Sequence, residues 1–337
     1  MSTLVSSLRH FWFADAPATR LATLRIILGL FSLGYLIPRY SMYLTISRQD
    51  TDLFEPVGVV GWLTGPLPPV MFQGLLILTI LASGAFLVGW RYRFTGPLFG
   101  VLLLLTLCYR NSWSMIFHND NILVLHALIL GFVPAADAFS LDARHGRPAG
   151  SWLFGPTAGA GWQYGWPIKL MMAVATAPYV LSGIAKLTGP LGVDWMTGDL
   201  LRDQIAIDTL RKIVLGTGSS DAIYLLYNQS YLFLLFGLGT MLIELGAPLA
   251  LVNRRIAYVW AFMAFLMHWG ILFMMDITFR YQLMGAMFAC YFPVERLAWW
   301  VINRLRPTPG TAATRTGPVR VTAGEPGVSR ASHQPLN

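Results

Sequence analysis

The sequence predicts an all-α protein, a polytopic bundle of transmembrane helices, and three observations support that prediction. Hydrophobic residues make up 55% of the 337-residue chain, whereas charged residues make up only 12%. The mean hydropathy is +0.56, and a soluble domain usually carries about twice this charged fraction. The apolar residues also fall in runs long enough to cross a hydrocarbon core of roughly 30 Å as helices.

Eight apolar runs follow one another along the chain, and each is predicted to form a membrane helix. The third and fourth are short, because a helix of about sixteen residues covers only roughly 24 Å. The turn between these two helices is polar. The predicted spans are 21–38, 70–90, 95–110, 116–134, 167–187, 228–252, 256–275 and 280–300.

The remaining segments are predicted to lie outside the helical domain of residues 21–300. Residues 1–20 form a cytoplasmic N-terminal segment. The outer loop contains a stretch, 199–213, whose apolar residues recur loosely at helical spacing, so it either lies on the outer surface or covers the bundle. Residues 301–337 are rich in Pro, Gly, Ser and Thr and basic overall, which predicts a disordered cytoplasmic tail.

The distribution of arginines predicts that both termini are cytoplasmic. The short loops with Arg91 and Arg93, and with Arg254 and Arg255, carry paired arginines that no acid cancels, as expected on the inner side. Membrane topology therefore explains the net charge of +8, and no nucleic-acid partner is expected. We expect a multi-pass protein of the cell membrane with the lipid bilayer as its partner. The sequence does not indicate an oligomeric state.

Lys186 is the most informative single residue, because an ammonium group is costly to place in hydrocarbon. It lies near the outer end of the fifth predicted helix. Since a low-dielectric site favours the neutral amine, such a lysine can act as a base. At 100° per residue, Tyr179, Ser182 and Lys186 share one helix face within about 60°. Alternatively, Lys186 simply reaches the polar boundary of the membrane.

Other polar residues are predicted to lie in the same outer half of the membrane as Lys186. His268, for example, follows Ile256 by twelve residues, which is roughly 18 Å along an outward-running helix. We therefore expect one outward-facing cavity with Asp276 at its mouth. Its expected catalytic residues are Lys186, His118 and His268, and its expected substrate-binding residues are Tyr179, Ser182, Asp120, Asp194 and Trp195.

Several polar residues also have structural interpretations. His118 could brace the short hairpin, and His268 could hydrogen-bond across the bundle. His126 and Glu244 are interpreted as structural, with Glu244 in the inner half of the membrane, either protonated or paired with Arg25. No metal site is expected, because no HExxH, ExxH or HxxxH spacing accompanies the histidines.

One segment of the chain resembles a known family. The pattern Tyr179-x-x-Ser182-Gly183-x-x-Lys186-Leu187, followed by Trp195 and Gly198, is similar to a segment of the HTTM domain, the membrane part of vitamin K-dependent gamma-carboxylase. The resemblance covers about residues 20 to 300. Lipase maturation factors share a similar pattern. The supporting pieces are Leu24-Arg25-Ile26 with Gly29, Phe54-x-Pro56-x-Gly58, Phe139-Ser140-Leu141-Asp142, and His268 with Phe279.

The resemblance implies a chemistry for the predicted cavity. In the carboxylase, a lysine of this segment is implicated as the base that deprotonates reduced vitamin K, and that position corresponds to Lys186. A histidine on the polar turn would assist, and His118 is the nearest match. A reduced, vitamin K-like quinone is then the implied cofactor. The carboxylase continues into a large exported region, whereas this chain ends in a basic tail, so peptide carboxylation is not expected.

Two hypotheses from different classes follow. In the first, the protein is a carboxylase-like membrane enzyme that uses Lys186 as a base on a quinol or lipid-like substrate. In the second, it is a non-enzymatic immunity, sensor or maturation protein, in which Lys186 pairs with a carboxylate such as Asp194 or Asp120. A secondary transporter ranks last, because the two halves of the chain lack matching broken helices.

Overall fold

A computed structural model describes residues 2–113, 116, 119–146 and 159–305 of the chain. Within these ranges the protein is helical, apart from turns and one pair of two-residue strands, and the predicted all-α class is confirmed. The predicted catalytic residue His118 and residues 306–337 of the predicted tail lie outside the described residues. The chain divides into two compact units at Ala298, and the site lies in the first.

Seven helices lie in the N-terminal half of the described chain. Two of them, α4 and α5, are joined by a tight turn in which Gly89 and Arg91 both adopt positive φ. The seven are α1 (Ser2–Trp12), α2 (Ala18–Leu36), α3 (Tyr40–Ile46), α4 (Pro69–Val88), α5 (Tyr92–Asn111), α6 (Asn119–Phe132) and α7 (Leu141–Arg144).

The described C-terminal half contributes eight more helices, and its start is tied to the N-terminal half by the strand pair. Strand β1 (Ala16–Pro17) pairs antiparallel with β2 (Ala160–Gly161). The helices are α8 (Trp162–Thr188), α9 (Asp199–Val214), α10 (Ala222–Leu226), α11 (Ser230–Gly246), α12 (Leu249–Val252), α13 (Arg254–Met275), α14 (Arg280–Leu283) and α15 (Glu295–Leu305).

Five of the described helices are long and apolar enough to cross a membrane, namely α2, α4, α5, α8 and α13. Helices α6 and α11 are apolar but shorter. These seven correspond to the first seven predicted spans, and α9 corresponds to the helix predicted in the outer loop. The chain is therefore a multi-pass integral membrane protein, while the expected count of eight is not confirmed and the orientation of the termini stays a prediction.

The eighth predicted span, 280–300, is not one helix. Helix α14 ends where Gly285 adopts φ +73°, and a 3-10 turn, Met287–Tyr291, follows before Pro293 and α15. A positive φ ends a helix, and proline lacks the N–H that a continuing helix needs. Residues Met287–Tyr291 are buried, so this apolar segment fills the bundle instead of facing lipid.

Glycines set the closest approaches between helices. A Cβ at Gly96 on α5 would lie 2.7 Å from the carbonyl oxygen of Gly131 on α6. A Cβ at Gly183 on α8 would lie 2.8 Å from Leu245 Cδ2 and 3.1 Å from Glu244 Cβ on α11. Small residues let helix backbones approach in this way within a membrane. The second contact positions the candidate site.

Candidate functional site

Lys186 and Glu244 form the polar centre of the α8–α11 contact. Lys186 Nζ donates to Glu244 Oε1 at 2.6 Å and to Oε2 at 2.8 Å. The Ser182 hydroxyl, one turn earlier on α8, donates to the same Oε1 at 3.1 Å. The Glu244 side chain is 7% exposed and that of Lys186 21%. The carboxylate is thus almost fully enclosed and receives three hydrogen bonds.

The partner of Lys186 was not anticipated from the sequence. Glu244 was expected to pair with Arg25 or to be protonated, and Asp194 or Asp120 was expected to pair with Lys186. The structure instead pairs Glu244 with Lys186, because Gly183 lets α11 pack directly against the face of α8 that carries the lysine. A glutamate inside an apolar helix itself indicates that a partner lies nearby, because an unpaired carboxylate is costly to bury in a membrane.

Trp195 covers one side of the ion pair. The centroid of one of its rings lies 5.3 Å from Lys186 Nζ, within the range of a cation–π interaction. Trp195 belongs to a 3-10 turn, Gly192–Met196, held against α11. A Cβ at Gly237 would lie 2.7 Å from the Trp195 carbonyl oxygen, and one at Gly198, where φ is +85°, would lie 2.3 Å from the Leu234 nitrogen. Both positions therefore require glycine.

A small recess lies beside the ammonium group. Its volume is only ≈ 10 Å³, and it is lined by Lys186, Trp195, Leu201, Gly237, Thr240 and Met241. A cavity needs a volume of about 10–15 Å³, measured in the same way, to hold one water molecule. None of the other described residues expected in the predicted cavity lines this recess, and the recess itself is too small for a substrate.

A much larger apolar groove shares a wall with the recess. It lies between α9, α11 and α13, has a volume of ≈ 350 Å³, and includes Leu201 and Thr240, which also line the recess. The rest of its lining is apolar, with Met263, Met267 and Phe273 among the side chains of α13. This size falls at the low end of known small-molecule sites. The groove therefore offers an apolar compartment adjacent to the ion pair.

Tyr179 and His268 meet between α8 and α13. Their ring centroids lie 5.9 Å apart, and Tyr179 also packs edge-on against Trp260 at 5.1 Å. His268 is 5% exposed, and its Nδ1 lies 2.8 Å from the carbonyl oxygen of Ala264. The buried Tyr179 hydroxyl has no hydrogen-bond partner among the described residues. Tyr179 thus lies on the same helix as Ser182 and Lys186 and packs its ring against α13.

Asp120 belongs to a separate polar group. It accepts hydrogen bonds from the Tyr35 hydroxyl at 2.9 Å and 3.2 Å and lies 3.7 Å from Arg110 Nη1. These partners come from α2 and α5, whereas those of Lys186 come from α8 and α11. The expectation of one cavity containing both Asp120 and Lys186 is therefore replaced by two polar centres with different partners.

The other predicted residues take peripheral or structural positions. Asp194 is exposed, and its carbonyl oxygen accepts the Thr197 hydroxyl at 2.8 Å. His126 hydrogen-bonds Tyr281 and the carbonyl oxygen of Met171 at 2.9 Å and 3.0 Å, which suits the structural role expected for it. Among the described residues, no cluster of three or more His, Cys, Asp or Glu side chains could hold a metal ion.

The helical fold and its apolar spans define the class as a multi-pass integral membrane protein. Comparisons with protein-family models, with curated proteins and with solved structures found no match.

Proposed function

We propose that this membrane protein binds one lipid-like molecule, with a reduced quinone as the foremost candidate, and uses Lys186 as a base on its polar head. The apolar chain of that molecule would occupy the groove between α9, α11 and α13. Its head would enter the recess beside Lys186 Nζ when Leu201 and Met241 rotate aside. The proposal extends the HTTM resemblance and places the protein in the cell membrane.

One observation supports this proposal above all others: Leu201 and Thr240 line both the groove and the recess beside Lys186. A ligand with a long apolar chain and a compact polar head matches that pair of compartments. Two of the helices that form the groove, α11 and α13, are apolar, and the proposed ligand enters between them from the membrane. The same geometry suits quinols and other single-chain lipids, because both combine these two parts.

Glu244 gives the proposed base a route for its proton. In the ion pair the ammonium holds the proton, and transfer from Nζ to Glu244 leaves a neutral amine beside a carboxylic acid. The amine can then take the proton of a substrate hydroxyl, which leaves a substrate oxyanion next to the re-formed ammonium. Ser182 holds the carboxylate in place through its hydrogen bond to Oε1.

A second candidate function is non-enzymatic, as in an immunity, sensor or maturation protein. It is favoured by the two hydrogen bonds from the Lys186 ammonium to both carboxylate oxygens, at 2.6 Å and 2.8 Å, and by the small size of the recess. In that case the ion pair only fixes α8 against α11. The two candidates differ in whether the groove holds a molecule whose head reaches Lys186.

Lipid identification by mass spectrometry of gently purified protein tests the proposal. The variant Gly239→Phe/Gly270→Phe fills the groove from both sides, because both glycines line it and a Cβ at either position meets no atom within 4 Å. A matched control, Gly84→Phe/Gly246→Phe, alters two glycines with equally open surroundings that do not line the groove.

We expect one lipid-like species, enriched above the bulk lipid and near one per protein, in the wild type and in the control. The groove-filling variant should lose it while melting at a similar temperature. Retention of the molecule by that variant, or a wild type carrying only bulk lipid, would contradict the proposal and leave the non-enzymatic candidate.

A further inference from the structure

A second cleft lies at the opposite end of α8 from Lys186. It contains Lys169, seventeen residues before Lys186, which is roughly 25 Å along a helix. The cleft has a volume of ≈ 240 Å³ and is bounded by α8, α12, the start of α13 and the segment around β1. It shares no lining residue with the groove or with the recess at Lys186.

Three cations line this cleft, and among the residues with described positions only one of them is neutralised by an ion pair. Arg20 Nη2 lies 2.6 Å from Glu295 Oε1, and Arg20 Nε lies 2.8 Å from Oε2. Lys169 and Arg254 form no ion pair with any residue that the structure describes. The carboxylate of Asp15 also lines the cleft, at an exposed position. The cations therefore outnumber the acids.

Lys169 is oriented by its neighbours without being saturated by them. Its Nζ donates to the carbonyl oxygen of Leu251 at 2.7 Å and lies 4.4 Å from the centroid of the Phe11 ring. An ammonium group has three donors, so two remain for a ligand. Arg254 lies on the rim, exposed, with its Nε hydrogen-bonded to the Tyr258 hydroxyl. Its guanidinium keeps further N–H groups for a second contact.

Most of the other lining residues are apolar. Ile168, Met172 and Ala257 line the cleft together with three residues of α12, Ala250, Leu251 and Val252. Basic side chains next to apolar ones match a molecule that carries a phosphate next to hydrocarbon. The arginine pattern predicts this end of α8 to be cytoplasmic, where anionic lipids attract basic side chains.

We propose that this cleft binds the headgroup of an anionic phospholipid, with its phosphate between Lys169 and Arg254 and the start of one acyl chain against Met172. The site is independent of the proposed lipid-like ligand near Lys186, because the two share no residue. A basic pocket between membrane helices on the cytoplasmic side is a recognised arrangement for anionic headgroups. Arg20 neutralises Glu295 through their ion pair, so Lys169 and Arg254 carry the proposed contacts.

The test compares the affinity of purified protein for phosphatidylglycerol and phosphatidylcholine by native mass spectrometry. The variant Lys169→Gln/Arg254→Gln removes both free cations. The control Arg144→Gln/Arg255→Gln removes two charges predicted to lie on the same side, at exposed positions outside the cleft. Since each basic side chain in contact with an anionic headgroup contributes about 1 kcal/mol, the first variant should bind phosphatidylglycerol about 30-fold more weakly.

We expect phosphatidylcholine binding to be unchanged in both variants, and the control to bind phosphatidylglycerol as the wild type does. If the double variant fails to fold, Arg254→Gln alone, at an exposed position, should still weaken binding about fivefold. Equal losses in variant and control, no preference for phosphatidylglycerol, or full competition by millimolar inorganic phosphate would overturn the proposal. The last result would indicate a site for free phosphate instead of a lipid.

Discussion

Lys186 and Glu244 hold two helices together through one ion pair, with Nζ at 2.6 Å and 2.8 Å from the two carboxylate oxygens. The two residues are 58 positions apart in sequence. They meet where Gly183 lets α11 approach α8, and the adjacent groove makes this pair the centre of the proposed function.

Removing one partner of this ion pair should destabilise the fold more than removing both. Glu244→Leu leaves an ammonium without its counter-charge, and we expect a loss of about 2–3 kcal/mol, since Lys186 is partly exposed. The double variant Lys186→Met/Glu244→Leu should recover most of that loss, because apolar replacements of a buried pair are often neutral. Thermal unfolding in detergent measures both, and strictly additive effects would show that the two side chains do not interact.

Replacement of Lys186 separates the base from the structural ion pair. Lys186→Arg keeps the positive charge, but arginine does not deprotonate, and Lys186→Met keeps neither property. If Lys186 is a base, both variants should abolish turnover of the co-purified ligand, while Lys186→Arg keeps nearly the stability of the wild type. Equal function of Lys186→Arg and the wild type would assign the lysine a structural role.

Gly198 should tolerate alanine less well than Gly183. At Gly198 the new Cβ would lie 2.3 Å from backbone atoms, and φ is +85°. Because backbone atoms cannot rotate aside as a side chain can, we expect a loss of about 3 kcal/mol in the free energy of unfolding. At Gly183 the nearest atom is the tip of the Leu245 side chain, which can rotate, and about 1 kcal/mol is expected. Melting temperatures of the two variants, with Gly246→Ala as the control, check this order.

Tyr35→Phe tests whether the two polar centres are separate. The Tyr35 hydroxyl donates to the buried Asp120 carboxylate, and loss of a hydrogen bond to a charged group costs about 1.5–3 kcal/mol. We expect the variant to be less stable by that amount in thermal unfolding, with unchanged occupancy of the proposed lipid-like ligand. A loss of the ligand at unchanged stability would instead place Asp120 in the ligand site.

The Arg20–Glu295 ion pair should make stability depend on pH under acidic conditions. Burial acts to raise the pKa of Glu295, but the hydrogen bonds and charge of Arg20 outweigh it, so the pKa lies below its ordinary value. A carboxyl group with a depressed pKa stabilises the fold above its ordinary pKa of about 4.3, and this contribution is lost as the pH falls through the folded-state pKa. Glu295→Gln should reduce the dependence of the melting temperature on pH between about pH 3 and pH 6. An unchanged slope would show that the Arg20–Glu295 ion pair does not cause this dependence.

The sequence predicted those features of the fold that depend on local residue patterns. Apolar runs located seven helices, and helical spacing placed Tyr179, Ser182 and Lys186 on one face, from which Ser182 and Lys186 contact Glu244. It did not predict the break at Gly285, because an apolar run does not distinguish a lipid-facing helix from a buried irregular segment. It also missed the pairing of Glu244 with Lys186 and of Asp120 with Tyr35, since both depend on how distant helices pack.

The most direct measurement is an experimental structure of the protein in a lipid nanodisc, prepared without added ligand. We expect elongated density in the groove between α9, α11 and α13, ending in a polar head within hydrogen-bond distance of Lys186 Nζ. An empty groove above an intact Lys186–Glu244 pair, or density whose polar end points away from Lys186, would contradict the account.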